Sequence, residues 1–142
     1  MINKVLFSSK SDEWETPQDL FNELDKEFKF SLDPCATEKN AKCKVFYTKK
    51  DNGLVRGWHN HTVFCNPPYS QIAKWVEKAY GETDGDFFTK VIMLIPVRTD
   101  TKWFHKYIYN NEFCEIRFIK GRLKFGNSKN SAPFPSMVVI FN

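Results

Sequence analysis

The sequence predicts an α/β fold: a mostly parallel sheet with antiparallel C-terminal strands and helices on both faces. Three observations predict it. Short strand-like apolar runs alternate with amphipathic helical stretches along most of the chain. Lys90–Pro96 (KVIMLIP) is almost continuously apolar, as a strand buried on both faces requires. After Cys114 the strand-like runs follow one another across turn signals with no helical stretch between them, which suits antiparallel pairing.

The chain has 142 residues, enough for one domain with one core. We expect a flexible N-terminal arm over 1–13 and a single domain over 14–142. An apolar content of 42% and a mean hydropathy of -0.50 suit a globular protein, and no apolar run reaches the length of a membrane span. Met1–Phe7 is too short for a signal peptide, so an intracellular, cytoplasmic protein is expected. Cys35, Cys43, Cys65 and Cys114 show no C-x-x-C spacing and read as free thiols.

Thr16-Pro17 starts the first helix, with Thr16 as its cap, Pro17 at the first helical position and Asp19 in the first turn. Leu20, Phe21, Leu24 and Phe28 form its apolar face. Phe28–Asp33 reads as the first strand, ending in Asp33-Pro34-Cys35-Ala36. Thr37-Glu38-Lys39-Asn40 follows without a glycine. Lys44–Tyr47 is a short strand, and Asp51-Asn52-Gly53 is a turn. Trp58-His59-Asn60-His61 spells a contiguous HNH. Its two histidines share a face if extended, but no further ligand lies nearby and no metal site is expected.

Thr62-Val63-Phe64-Cys65 is a buried strand stopped by Pro67 and Pro68, which fix φ and donate no ladder bond. Ser70 caps a second helix with Ile72, Ala73, Trp75, Val76, Ala79 and Tyr80 inward; Gly81–Gly85 is a loop. After Lys90–Pro96, Arg98 lies at the strand's carboxyl end, and Asp100 caps a helix carrying Trp103, Phe104, Tyr107 and Ile108. Cys114–Lys120 and Arg122–Phe125 form a hairpin turning at Gly121. Gly126–Ser136 is a long polar loop, and Met137–Phe141 is the last strand.

The strand stop at Asn66-Pro67-Pro68-Tyr69 carries the chemistry. It leaves Asn66 at the carboxyl edge of the sheet, where open α/β sheets bind ligands. An aromatic NH2 is a poor nucleophile because its lone pair is delocalised. The Asn66 side-chain oxygen and the Pro67 carbonyl can accept its two N–H groups and aim the lone pair, while the Tyr69 ring lies against the base.

This tetrapeptide resembles the catalytic motif of S-adenosylmethionine-dependent amino-group methyltransferases. Glu15-Thr16-Pro17 and Leu32–Ala36 resemble the cofactor-binding pair of such enzymes, and Asp12-Glu13-Trp14, Lys120–Phe125 and Ala132–Ser136 extend the likeness to the small phage-type DNA N6-adenine methyltransferases, over residues 10–141. The resemblance implies a compact Rossmann-like methyltransferase sheet trimmed of one βα unit. It implies that Asn66, Pro67, Pro68 and Tyr69 are catalytic. It places Trp14, Thr16 and Pro17 at the cofactor's methionine end, and Asp33, Pro34, Cys35 and Ala36 beside its amino acid and ribose. Asp51 has two readings: turn chemistry, or an acid facing the cofactor's adenine amino group. The implied host is a bacterial cell if the protein is phage-encoded.

DNA is the expected partner, and a homodimer is compatible with the reading. Residues 101–142 carry 7 basic and 2 acidic side chains against 14 and 15 in the rest of the chain. Arg98, Lys120, Arg122 and Lys124 are candidate phosphate contacts, and Phe125 and Phe134 candidate base contacts, with core packing as their other reading. Three alternatives stand beside this one. The same motif suits cytosine N4 or a protein glutamine amide. The glycine-poor stretch after Ala36 suits a non-catalytic DNA-binding relative. His59 and His61 would suit a metal nuclease.

Overall fold

A computed structural model describes residues 12–142. The expected arm lies outside the described residues except for Asp12 and Glu13. Helix α1 is Gln18–Phe28 and α2 is Ile72–Thr83. A six-stranded sheet comprises β1 (Leu32–Asp33), β2 (Val45–Phe46), β3 (Thr62–Cys65), β4 (Lys90–Pro96), β5 (Cys114–Phe118) and β6 (Ser136–Phe141), in the order β2-β1-β3-β4-β6-β5. The pairs β2·β1, β1·β3 and β3·β4 are parallel; β4·β6 and β6·β5 are antiparallel.

The period-two alternation of the strands divides the core between the two faces of the sheet. Val63, Cys65, Val91, Met93 and Ile95 pack with α2 and with the π-helical segment Phe104–Tyr109. Phe64, Ile92, Leu94, Val138 and Ile140 pack with Phe21 and Leu24 of α1. Burying each such side chain contributes about 1.5–3 kcal/mol, and a one-residue slip would turn every one to the wrong face. The register Leu32↔Val63 and Cys65↔Met93 is thereby fixed. It brings the carboxyl ends of β1 and β3, with Asp33–Ala36 and Asn66–Tyr69, side by side. Among the described residues no helix is long and apolar enough to cross a membrane.

Several local expectations are corrected. The first strand is only Leu32–Asp33, because α1 runs through Phe28 and ends on Lys29 in the left-handed conformation (φ 56°). Pro17, not Thr16, precedes α1: its carbonyl accepts the Phe21 N–H at 3.1 Å. Ser70 does not cap α2, since its N–H and hydroxyl both donate to Asp12 and a 3-10 turn, Tyr69–Gln71, intervenes. Ala73 is exposed, and α2 runs on through Thr83 into the expected loop. Thr101, not Asp100, accepts the Phe104 N–H at the start of the last helical segment. No hairpin forms at 122–125: β5 pairs with β6 instead, and the return segment is drawn inward by Phe125, 1% exposed.

Candidate active site at the carboxyl edge of the sheet

A cleft of about 610 Å³ opens where β1 and β3 end. That volume lies within the range of small-molecule and cofactor sites, about 300–1,000 Å³. Trp14, Thr16, Asp33, Pro34, Cys35, Ala36, Asn66, Pro67 and Pro68 line it. The cleft therefore brings together most of the expected cofactor residues and three of the four expected catalytic ones. Pro17 and Asp51 do not line it.

Asn66 is held from one side only. Its Nδ2 donates to the Trp14 carbonyl and, at 2.9 Å, to Thr16 Oγ1. A carbonyl can only accept, so this contact fixes which way the amide faces. Its Oδ1 is then turned away from Trp14, buried and without a hydrogen-bond partner among the described residues. A buried unpartnered oxygen costs about 1–3 kcal/mol, so its retention calls for a reason. Next in the chain, the Pro68 carbonyl accepts the Gln71 N–H at 3.0 Å, whereas the Pro67 carbonyl has no such partner among the described residues.

Tyr69 sits behind these acceptors in an aromatic cluster. Its ring lies 6.4 Å from that of Trp14 at an interplanar angle of 24°, with Phe134 at 5.5 Å and Phe125 at 6.4 Å, both edge-on. Burial pushes the Tyr69 phenol well above its usual range, so the ring is neutral at physiological pH. Phe125 and Phe134 both pack on Trp14, at 5.3 and 5.2 Å. Phe125 is a core residue; Phe134 is half-buried.

Asp33 is 5% exposed. Its carboxylate accepts the Lys42 N–H at 3.1 Å and, more loosely, the Cys35 N–H at 3.4 Å, holding the loop that follows β1. Burial outweighs these bonds and raises its pKa from 3.8 to about 6. The same loop contains no glycine. Thr37 and Asn40 close it reciprocally, each side-chain oxygen accepting the other's backbone N–H at 3.1 and 2.7 Å, and both line the cleft. Cys35 Sγ and Cys65 Sγ lie 3.3 Å apart as free thiols, and burial pushes the Cys35 thiol up.

Asp51 serves its turn. Its Oδ2 accepts the Thr48 N–H and hydroxyl at 2.9 and 3.1 Å, which holds its carboxyl below the usual range. Its neighbour Gly53 does meet the cleft, and a Cβ there would stand 2.1 Å from the Pro34 carbonyl oxygen. In the sequence Gly53 reads as turn punctuation only; a glycine beside a predicted strand end is the signal that a close approach is needed. Glu13 and Glu15, which the motifs include without a role, also line the cleft, as does Asn127, which sequence reasoning missed. Nothing local in the sequence links Asn127 to a segment 112 residues earlier.

Arg98, Lys120, Arg122 and Lys124 are exposed and make no ion pair among the described residues. Arg117, by contrast, is bound by Glu27 through both terminal nitrogens at 2.7 Å. His59 and His61 turn to separate partners, Asp86 and Ser31, each at 2.8 Å, and no metal-binding cluster occurs among the described residues.

Residues 4–142 match the family model described as DNA N-6-adenine-methyltransferase (Dam). The chain is similar to the DNA N-6-adenine-methyltransferase of Haemophilus phage HP1 (strain HP1c1), 35% identical over 141 residues, covering 94% of this chain and 80% of that protein. It is also similar to the DNA N-6-adenine-methyltransferase of Escherichia phage T1, 36% identical over 95 residues, covering 66% of this chain but only 39% of that protein. The match runs through the end of β1, the Asn-Pro-Pro-Tyr stop and the C-terminal strands alike, and the chain belongs to the DNA N-6-adenine-methyltransferase (Dam) family.

Proposed function

We propose that this chain transfers a methyl group from S-adenosylmethionine to the exocyclic N6 amine of adenine in DNA. The observation that carries the reading is the buried, unpartnered Oδ1 of Asn66. It is an acceptor left without a partner, and in this reading a substrate N–H that displaces the groups covering it satisfies it. The Pro67 carbonyl takes the second N–H. Two aimed acceptors draw the amine lone pair out of conjugation, and that fixed alignment supplies most of the rate gain.

The cleft suits the methyl donor. Its volume is adequate, and Asp33 offers an acceptor for hydroxyl or amino groups. When bound, S-adenosylmethionine supplies a methyl group already activated on sulfonium. Trp14, Thr16 and Asp33–Ala36 would hold it beside Asn66. The neutral Tyr69 ring supplies a stacking face for a base that has left the duplex, at a cost of about a few kcal/mol. Arg98, Lys120, Arg122 and Lys124 bind phosphates in this reading, and Phe134 borders the base. We read the architecture as a Rossmann-like methyltransferase sheet within one domain over 14–142, acting in the cytoplasm of the host cell.

The test is incubation with plasmid DNA and methyl-labelled cofactor, followed by nucleoside analysis. Label in N6-methyladenine is expected. Label in N4-methylcytosine, or none in DNA, would overturn the assignment.

We further propose a homodimer through β5, whose outer edge is unpaired among the described residues. Antiparallel pairing of two copies about Ile116 would set Glu115 of each opposite Arg117 of the other. Sedimentation as a monomer would remove that part.

A further inference from the structure

Resting on the role proposed for Asn66, we infer that Asn127 is a positioning residue for the methyl transfer. It acts through the backbone of the segment Glu13–Thr16. The starting point is the orientation of the Asn66 amide. Of the two acceptors on its Nδ2, Thr16 Oγ1 is a hydroxyl and could equally donate, so it does not distinguish the two amide orientations. The Trp14 carbonyl does distinguish them. Whatever holds that carbonyl in place holds Oδ1 toward the substrate.

Asn127 holds it. Its Nδ2 donates to the Glu13 carbonyl at 2.6 Å, and its Oδ1 accepts the Glu15 N–H at 3.0 Å. Both partners are backbone groups of opposite character, so the Asn127 amide has one orientation as well. Next to it, the Gly126 N–H donates to the Glu15 carbonyl at 2.8 Å. One asparagine side chain and one glycine N–H thus pair with the backbone of 13–15 as a neighbouring strand would. Trp14 lies at the centre of that pairing, with its ring wedged among Tyr69, Phe125 and Phe134 and its carbonyl against Asn66. The line Asn127, Glu13/Glu15, Trp14, Asn66 runs from the C-terminal loop to the reacting edge without a break.

The test is Asn127→Ala in the full chain, read in two ways. Hydrogen exchange of the Asn66 side-chain amide, followed by NMR with asparagine labelling, reports its orientation lock. Steady-state methylation reports the consequence. We expect the Asn66 amide protons to exchange at least about tenfold faster and turnover to fall by about 10- to 100-fold, with the KM for DNA within about threefold of wild type. Backbone amides of β3 and β4 should exchange as before. Unchanged exchange at the Asn66 side chain, or turnover within about twofold of wild type, would overturn the inference. If the alanine variant does not fold, Asn127→Asp keeps the acceptor for Glu15, replaces the donor to Glu13 by a carboxylate oxygen that repels the Glu13 carbonyl, and carries the same two readouts. A wild-type protein that methylates no DNA would defeat the proposed function, while the exchange measurement would still decide the role of Asn127.

Discussion

Asp33 gives the clearest stability prediction because its burial and its hydrogen bonds pull in opposite directions. Two backbone N–H groups favour the carboxylate, yet burial dominates and the pKa rises from 3.8 to about 6. The folded protein then holds the Asp33 proton over a pH range where the unfolded chain has released it. Stability contributed by this group is therefore greatest below pH 3.8 and declines as pH rises to about 6, then stays level. A shift from 3.8 to about 6 corresponds to about 3 kcal/mol lost over that window. The perturbation is Asp33→Asn, which cannot titrate and keeps one acceptor for the loop. Between pH 4 and pH 7 about 2–3 kcal/mol of this is lost, because at pH 4 the unfolded carboxyl is already past its midpoint; at roughly 3 °C per kcal/mol for a chain of this size, the Tm of wild type relative to the variant should fall by about 7 °C. Scanning calorimetry of both proteins across that range measures it. A constant difference would show that the Lys42 and Cys35 N–H groups balance burial, and one that grows in favour of wild type as pH rises would show that they outweigh it.

Four other outcomes follow from the same geometry. Gly53→Ala puts a Cβ 2.1 Å from the Pro34 carbonyl, so it should destabilise the fold by at least about 1–3 kcal/mol in urea unfolding and weaken cofactor binding. Tyr69→Phe should keep near-wild-type turnover, since the phenol makes only a 3.5 Å contact with the Leu94 carbonyl. Tyr69→Ala should lose about 1–3 kcal/mol of base stacking, read as a higher KM for DNA. Replacing Lys120, Arg122 and Lys124 together by Ala should flatten the salt dependence of DNA binding by about 0.9 in log–log slope for each phosphate these side chains neutralise. An unchanged slope would remove those side chains from the interface.

Much of the frame was legible because burial is written into single runs of residues. Lys90–Pro96 spans β4, and Thr62–Cys65 spans β3, since each is an apolar run bounded by polar or proline residues. The carboxyl edge was legible for the same reason: the prolines at 67 and 68 stop the strand and leave Asn66 beside the end of β1. What failed was local capping chemistry. The hydroxyls of Thr16 and Ser70 look like helix caps in sequence, but partners 50 and 58 residues away claim them. The 122–125 hairpin failed likewise. Its strand-like pattern is real, yet Phe125 is buried in the cluster around Trp14 instead of pairing at an edge. Asn127 was invisible because its partners are main-chain atoms of a segment distant in sequence, which no residue pattern encodes.

Replacing the acceptor itself tests the central claim most directly. Asn66→Ala removes Oδ1 along with the bonds to Trp14 and Thr16, so the relief of one buried orphan oxygen offsets much of what is lost and the fold should survive. Cofactor affinity by calorimetry is expected within about threefold of wild type, and methyl transfer to DNA lower by about 100- to 1,000-fold. Wild-type turnover in a folded Asn66→Ala protein would contradict the role given to that oxygen.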